Sequence, residues 1–129
     1  MSVVIKNVKG KGRGVFAARD FQQGEIIERS PVITFAKETW TQLEDTVFYP
    51  YCYFWGENLE DGALALGVGS LFNHSYHPNA RFFRQQKEQI IEFVTVQKIA
   101  AGEEITINYN GIVDDMEPLW FDVLEQDTK

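Results

Sequence analysis

The chain is poor in the residues that build metal centres and covalent staples. One cysteine, Cys52, and two histidines, His74 and His77, are all that 129 residues contain. A single thiol cannot close an internal disulfide or supply a multi-cysteine zinc site, and neither histidine has a carboxylate or cysteine at ligand spacing, so no metal is expected. The same scarcity of cysteine fits a reducing, intracellular setting. Long hydrophobic runs are missing as well. No apolar stretch approaches the ~20 residues that a membrane-spanning helix requires, and the first residues do not form a charged start followed by an apolar run. The expectation is a soluble protein with no membrane partner.

Positive charge is the third shortage. Lysine and arginine number 12 against 19 aspartates and glutamates, a formal charge of -7. Phosphate contacts need a basic surface, so nucleic acid is excluded as the expected partner, and a basic protein or lysine-rich peptide is favoured. Helical periodicity is also scarce. Only Thr39 to Val47 carries it, with Trp40, Leu43 and Val47 at helix spacing behind a threonine N-cap.

What the chain does have is 44% hydrophobic and 14% aromatic content, enough for one domain with a real core. Short apolar runs punctuated by glycine, proline or asparagine read as strands: Val3-Val4-Ile5, Gly14 to Ala17, Glu25 to Glu28, Val32 to Phe35, Gln89 to Val96 and Glu104 to Tyr109. Ala63 to Phe72 reads as a buried strand whose glycines permit close backbone approach. The fold class is mainly β. Two turns echo each other, Phe21-Gln-Gln-Gly24-Glu25 and Ile99-Ala-Ala-Gly102-Glu103, with both glycines expected at positive φ. Two such turns do not make a repeat architecture.

Polar side chains concentrate where apolar strands end, at Asn73-His74-Ser75 and at Asn108-Tyr109, and such a concentration marks a site. Alternation along Ile105-Thr106-Ile107-Asn108-Tyr109 puts Tyr109 on the same face as Ile107. The run Phe48-Tyr49-Pro50-Tyr51-Cys52-Tyr53-Phe54-Trp55 is too aromatic for a free loop and too rich in hydroxyls for an ordinary core strand. It suits a pocket lining.

Three blocks in order resemble the SET-domain protein lysine methyltransferases. They are Gly12-Arg13-Gly14-Val15-Phe16-Ala17, then Phe72-Asn73-His74-Ser75 with Pro78-Asn79, then Gly102-Glu103-Glu104-Ile105-Thr106-Ile107-Asn108-Tyr109. A lone Gly-x-Gly is weak evidence, but three ordered blocks spanning most of the chain are strong evidence. The chain is similar in size to the short viral and bacterial members. The resemblance implies a β-clip fold of small curved sheets with a C-terminal pseudoknot, a core over residues 1–111, and a lid and acidic tail over residues 112–129. It implies S-adenosylmethionine as cofactor and a basic protein substrate such as a histone tail, reached from opposite faces through a narrow lysine channel.

The same resemblance distributes roles. Tyr109 matches the active-site tyrosine. Tyr51 best fits the second catalytic tyrosine, followed four positions later by Trp55-Gly56, with Tyr49 and Tyr53 as alternatives. Asn73 and His74 match the cofactor-contacting pair. Gly12, Arg13 and Gly14 match the cofactor loop, with Lys11 or Arg13 facing the cofactor carboxylate. Tyr49, Tyr53, Phe82 and Ile107 would line the channel, and the lack of a hydroxyl at Ile107 implies di- or trimethylation. The family's cysteine-rich closing segment is absent here, so Trp120, Phe121 or Leu119 would form a zinc-free lid. A homodimer is left open, with Trp40 as a contributing surface aromatic. Location would be cytoplasmic or nuclear, and nuclear if the target is chromatin. The competing reading is a catalytically silent module that holds lysine peptides in a cation-π cage.

Overall fold

The computed structural model describes residues 2–111 and residue 116. The lid and tail expected over residues 112–129, including Leu119, Trp120 and Phe121, therefore fall outside the described residues, apart from an exposed Met116. Strands dominate. In chain order they are β1 (Val3–Val8), β2 (Gly12–Ala17), β3 (Ile26–Phe35), β4 (Cys52–Trp55), β5 (Asp61–Ala65), β6 (Asn73–His74), β7 (Ala80–Gln85), β8 (Ile90–Thr95) and β9 (Glu104–Ile107). They form a four-stranded sheet ordered β1-β2-β9-β6 and a five-stranded sheet ordered β4-β5-β3-β8-β7.

Two runs read separately from the sequence are one strand, β3. It pairs with β8 up to Pro31 and with β5 from Val32 onward. Proline has no N–H to donate, so the ladder changes partner at the residue that cannot continue it. The two outer strands of this sheet then meet through side chains. Tyr53 on β4 packs edge-on to Phe82 on β7 with ring centroids 5.0 Å apart, Arg84 Nε donates to the Phe54 carbonyl at 2.6 Å, and Gln86 Nε2 donates to the Gly56 carbonyl at 3.3 Å. The sheet is curled so that its edges close on each other, which protects strand edges that would otherwise be open.

The echoed turns turn out to be partners. Phe21 and Ile99 exchange both backbone hydrogen bonds, at 2.8 and 3.0 Å. Gly24 N–H donates to the Thr95 carbonyl while Thr95 N–H donates to Glu25, and in the equivalent places Gly102 donates to Ala17 while Ala17 donates to Glu103. Each glutamate accepts the N–H of the residue three before it, Gln22 or Ala100, at 2.6 Å. Both glycines have positive φ, 86° and 94°. Each turn thus caps the strand that leads into the other, a local two-fold arrangement that the sequence echo hinted at.

Two expectations need correction. The helix α1 spans only Thr39–Leu43, its N-cap is Glu38 rather than a threonine, and no side chain caps it. Val47 lies beyond it and is 74% exposed. Trp40 anchors the segment, wedged among Phe35, Tyr49 and Phe54, and its indole N–H donates to the Glu60 carbonyl. Five residues are too few for a self-supporting helix, so this tertiary contact decides the outcome. The second correction is that β5 stops at Ala65, and a 3-10 turn over Gly69–Leu71 precedes Phe72. Gly67 has φ of 65°, and a side chain at Gly69 would run into Ser30 and Ala65. The glycines here admit a neighbouring strand.

The core lies between the sheets and is built from Val15, Phe21, Phe72, Ile91, Phe93, Ile99, Ile105 and Ile107, all fully buried. Each such side chain contributes roughly 1.5–3 kcal/mol on burial. Ile105 and Ile107 belong to β9, all four of whose residues are buried.

Candidate active site

The site is assembled where β6 lies parallel to β9. Asn73 pairs with Thr106 and His74 with Ile107, and the Ser75 N–H continues the ladder to the Ile107 carbonyl at 2.9 Å. Asn79 reinforces the register from the other end of the motif. Its Nδ2 donates to the Glu104 carbonyl and its Oδ1 accepts from the Thr106 N–H, both at 2.9 Å, so one side chain imitates a strand partner. The sequence offers Asn79 only as part of a motif.

Tyr109 follows directly. Its backbone N–H donates to His74 Nδ1 at 2.9 Å, its ring lies 5.1 Å from the His74 ring, and its hydroxyl donates to the Phe72 carbonyl at 2.6 Å. An imidazole that accepts at Nδ1 is the neutral tautomer with its proton on Nε2, so the histidine orients the tyrosine without bearing charge. Burial, with Glu104 and Tyr51 adding to it, pushes the Tyr109 hydroxyl well above the ordinary phenol range.

Tyr109 opens onto a cleft of about 140 Å³. Its walls are supplied mainly by Tyr51, Cys52, Tyr53, Phe54, Phe72 and Arg84. Tyr53 is held by a 2.6 Å hydrogen bond from its hydroxyl to the Gly69 carbonyl, and burial pushes its phenol well above the ordinary range. Tyr51 stands at the mouth, 43% exposed. The remaining channel candidates are near but do not line the cleft. Tyr49 packs against Trp40, Phe82 is buried against Tyr53 and Phe93, and Ile107 is fully buried in β9 opposite His74.

The glycine-rich hairpin of β1 and β2 joins the same sheet through β9 and reaches β6 at Asn73. Asn73 Nδ2 donates to the Arg13 carbonyl at 3.1 Å and to Glu104 Oε2 at 2.7 Å. A Cβ at Gly14 would sit 2.5 Å from Glu104 Oε2 and 2.7 Å from Asn73 Nδ2, so this glycine is required by the protein's own packing. Gly12 differs: its φ is 77° and nothing lies within 4 Å of where a Cβ would be. Arg13 is exposed, whereas Lys11 Nζ is buried with no hydrogen-bond partner among the described residues.

Arg84 was missed in the sequence. The available signal was strand alternation, which puts it on the same face of β7 as Phe82, two residues before it.

A model of the SET domain matches residues 12–110. The chain belongs to the SET-domain family. A Schizosaccharomyces pombe histone-lysine N-methyltransferase specific for histone H3 lysine 37 is 38% identical over 119 residues, covering 92% of this chain and 76% of that protein. The crystal structure of a Plasmodium falciparum protein assigned to the histone methyltransferases superposes with a TM-score of 0.62 at 25% identity, covering 84% of this chain and 92% of that one. The Chaetomium thermophilum Polycomb Repressive Complex 2, in an autoinhibited conformation bound to S-adenosylmethionine, gives a TM-score of 0.68 at 22% identity. The match covers 84% of this chain and 15% of that one, and at that identity it speaks for the fold alone. Family and yeast relative together make this SET-domain chain an enzyme, a protein-lysine N-methyltransferase.

Proposed function

We propose that this SET domain transfers methyl groups from S-adenosylmethionine to a lysine of a basic protein segment, with a histone tail as the favoured substrate and a nuclear location to match. The observation that carries the reading is a tyrosine set in the wall of an aromatic cleft, its backbone N–H held by His74 and its hydroxyl by the Phe72 carbonyl. The histone preference draws on the 38% identical yeast relative and on the chain's own charge of -7.

The cofactor's fit is supported at the hairpin. A buried ammonium lacking an acceptor is costly, and the carboxylate of the methionine moiety would complete Lys11. Gly12 leaves open space beside it, while Asn73 and His74 supply backbone and amide groups on the adjoining strand. Arg13 is the second cation available, and Trp120 is the proposed lid residue. When bound, S-adenosylmethionine supplies an electrophilic methyl group on a positively charged sulfur.

The chain's own residues then have limited work: to align a lysine amine, keep water out and favour its neutral form. The phenolic proton of Tyr109 is committed to the Phe72 carbonyl, so toward an amine its oxygen acts as acceptor. Tyr51 and Tyr53 supply the aromatic walls that exclude water, with Tyr51 as the second catalytic tyrosine and Tyr49, Phe82 and Ile107 supporting the channel. An Ile107 side chain has no hydroxyl with which to hold a water in place of an added methyl, which favours di- or trimethylation.

The test is mass spectrometry of histones and basic peptides incubated with S-adenosylmethionine, comparing the intact protein with Tyr109→Phe. Lysine gains in steps of one methyl, reaching two or three and largely lost in the variant, are expected. Turnover that halts at one methyl sinks the product-state reading. Cofactor binding with no methylation of any lysine would favour the silent peptide-binding module.

A further inference from the structure

Arg84 is the only permanently charged side chain among the described residues that line the cleft. It is half-buried. Its Nε donates to the Phe54 carbonyl at 2.6 Å and its guanidinium lies 5.1 Å from the centre of the Phe82 ring. These contacts fix the group in place but do not neutralise it. The ion pairs among the described residues are Arg19–Glu25, Arg29–Glu92 and Lys37–Glu60, and none involves Arg84.

We propose that Arg84 is a built-in positive charge that holds the amine of a bound lysine in its neutral, nucleophilic form. This rests on the reading of the cleft as a lysine site. A lysine ammonium entering an apolar cleft beside a fixed cation is disfavoured by desolvation and by like charge together, and both push its proton off to solvent. The neutral amine's lone pair then forms the N–C bond as the donor's C–S bond breaks and its electrons return to sulfur.

The other groups facing the cleft do not cancel this charge. Tyr51 stands at the mouth, and Tyr53, Tyr109 and Cys52 are each held protonated by burial. Glu104 acts on Tyr109 but does not line the cleft, and its Oε2 accepts from the Asn73 amide beside the hairpin. On neighbouring strands, Glu92 of β8 is paired with Arg29, β4 offers no carboxylate, and Arg81 of β7 is a further cation, exposed and stacked on Phe83. Burial pulls the pKa of Arg84 itself down from its ordinary value, with Tyr53 opposing, but a guanidinium remains charged throughout the working range.

The experiment is single-turnover methyl transfer at saturating peptide and S-adenosylmethionine from pH 6 to 10, for the wild type, Arg84→Gln and Arg84→Lys. This rate reports groups titrating in the bound complex. Removing the cation stabilises the ammonium, so the acid limb should move up by about one pH unit in Arg84→Gln and stay near the wild type in Arg84→Lys. A merely structural role for the Arg84–Phe54 bond would lower the rate in both variants without moving the limb, and that result overturns the proposal. Cys52→Asp keeps Arg84 and adds a carboxylate to the same wall, so the limb must move up there too even if Arg84→Gln does not fold. A wild type inactive at every pH would instead overturn the methyltransferase reading of the cleft.

Discussion

The structural role of Tyr109 and the aligning role proposed for it can be separated. As a structural donor, its hydroxyl bond to Phe72 contributes on the order of 1 kcal/mol, so Tyr109→Phe should lower the urea midpoint only slightly. As an aligning group its loss should cost methyl transfer about 100-fold, read in single-turnover rates. Burial raises the phenols of Tyr53 and Tyr109 above their ordinary value near 10. Below about pH 10 both are protonated whether folded or not, and their contribution to stability is fully present. Above it the unfolded chain ionises first, so stability falls with pH. Urea unfolding at pH 8.5 and 10.5 should show this loss, and Tyr53→Phe with Tyr109→Phe should reduce it.

At the scale of elements, the two glycines of the hairpin should respond differently to alanine. At Gly14 the added methyl collides with Asn73 and Glu104, and overpacking of this kind costs typically 1–3 kcal/mol while displacing Asn73. At Gly12 there is space, and only the left-handed backbone resists, at roughly 1–2 kcal/mol. Calorimetry should find S-adenosylmethionine affinity reduced more by Gly14→Ala, because Asn73 loses its hold on the Arg13 carbonyl. The paired turns offer a cleaner comparison. Gly24 and Gly102 share their φ, their open surroundings and their cross-strand bonds. Gly24→Ala and Gly102→Ala should therefore shift the thermal midpoint by nearly equal amounts. A large difference would show that the two-fold arrangement is not an energetic one.

At the scale of the whole molecule, the acidic balance acts at long range. A charge of -7 attracts a basic peptide and is screened by salt over a Debye length of about 10 Å at 0.1 M. Raising salt from about 20 to 300 mM should lower kcat/KM for a lysine-rich peptide several-fold and leave kcat nearly unchanged. The closed five-stranded sheet matters at this scale too, because Arg84, Gln86 and Tyr53 join its outer strands at the same place where the cleft forms. The cleft exists because the sheet curls.

The amino-acid sequence determined the local matters: strands from alternation, the positive φ of Gly24 and Gly102, and the recognisable blocks that carry Asn73-His74 and Tyr109. These depend on neighbours in the chain or on motifs read in order. It erred on α1 and on the end of β5, where Trp40 and the close fit of Gly69 against Ser30 override local preference. The tertiary structure alone decided that Tyr51 and Tyr53 line the cleft while Tyr49 turns to Trp40, and that Arg84 joins them. Those assignments depend on which outer strands meet when a sheet closes. That meeting is set by residues some thirty positions apart, such as Phe54 and Arg84, and no period in the sequence records it.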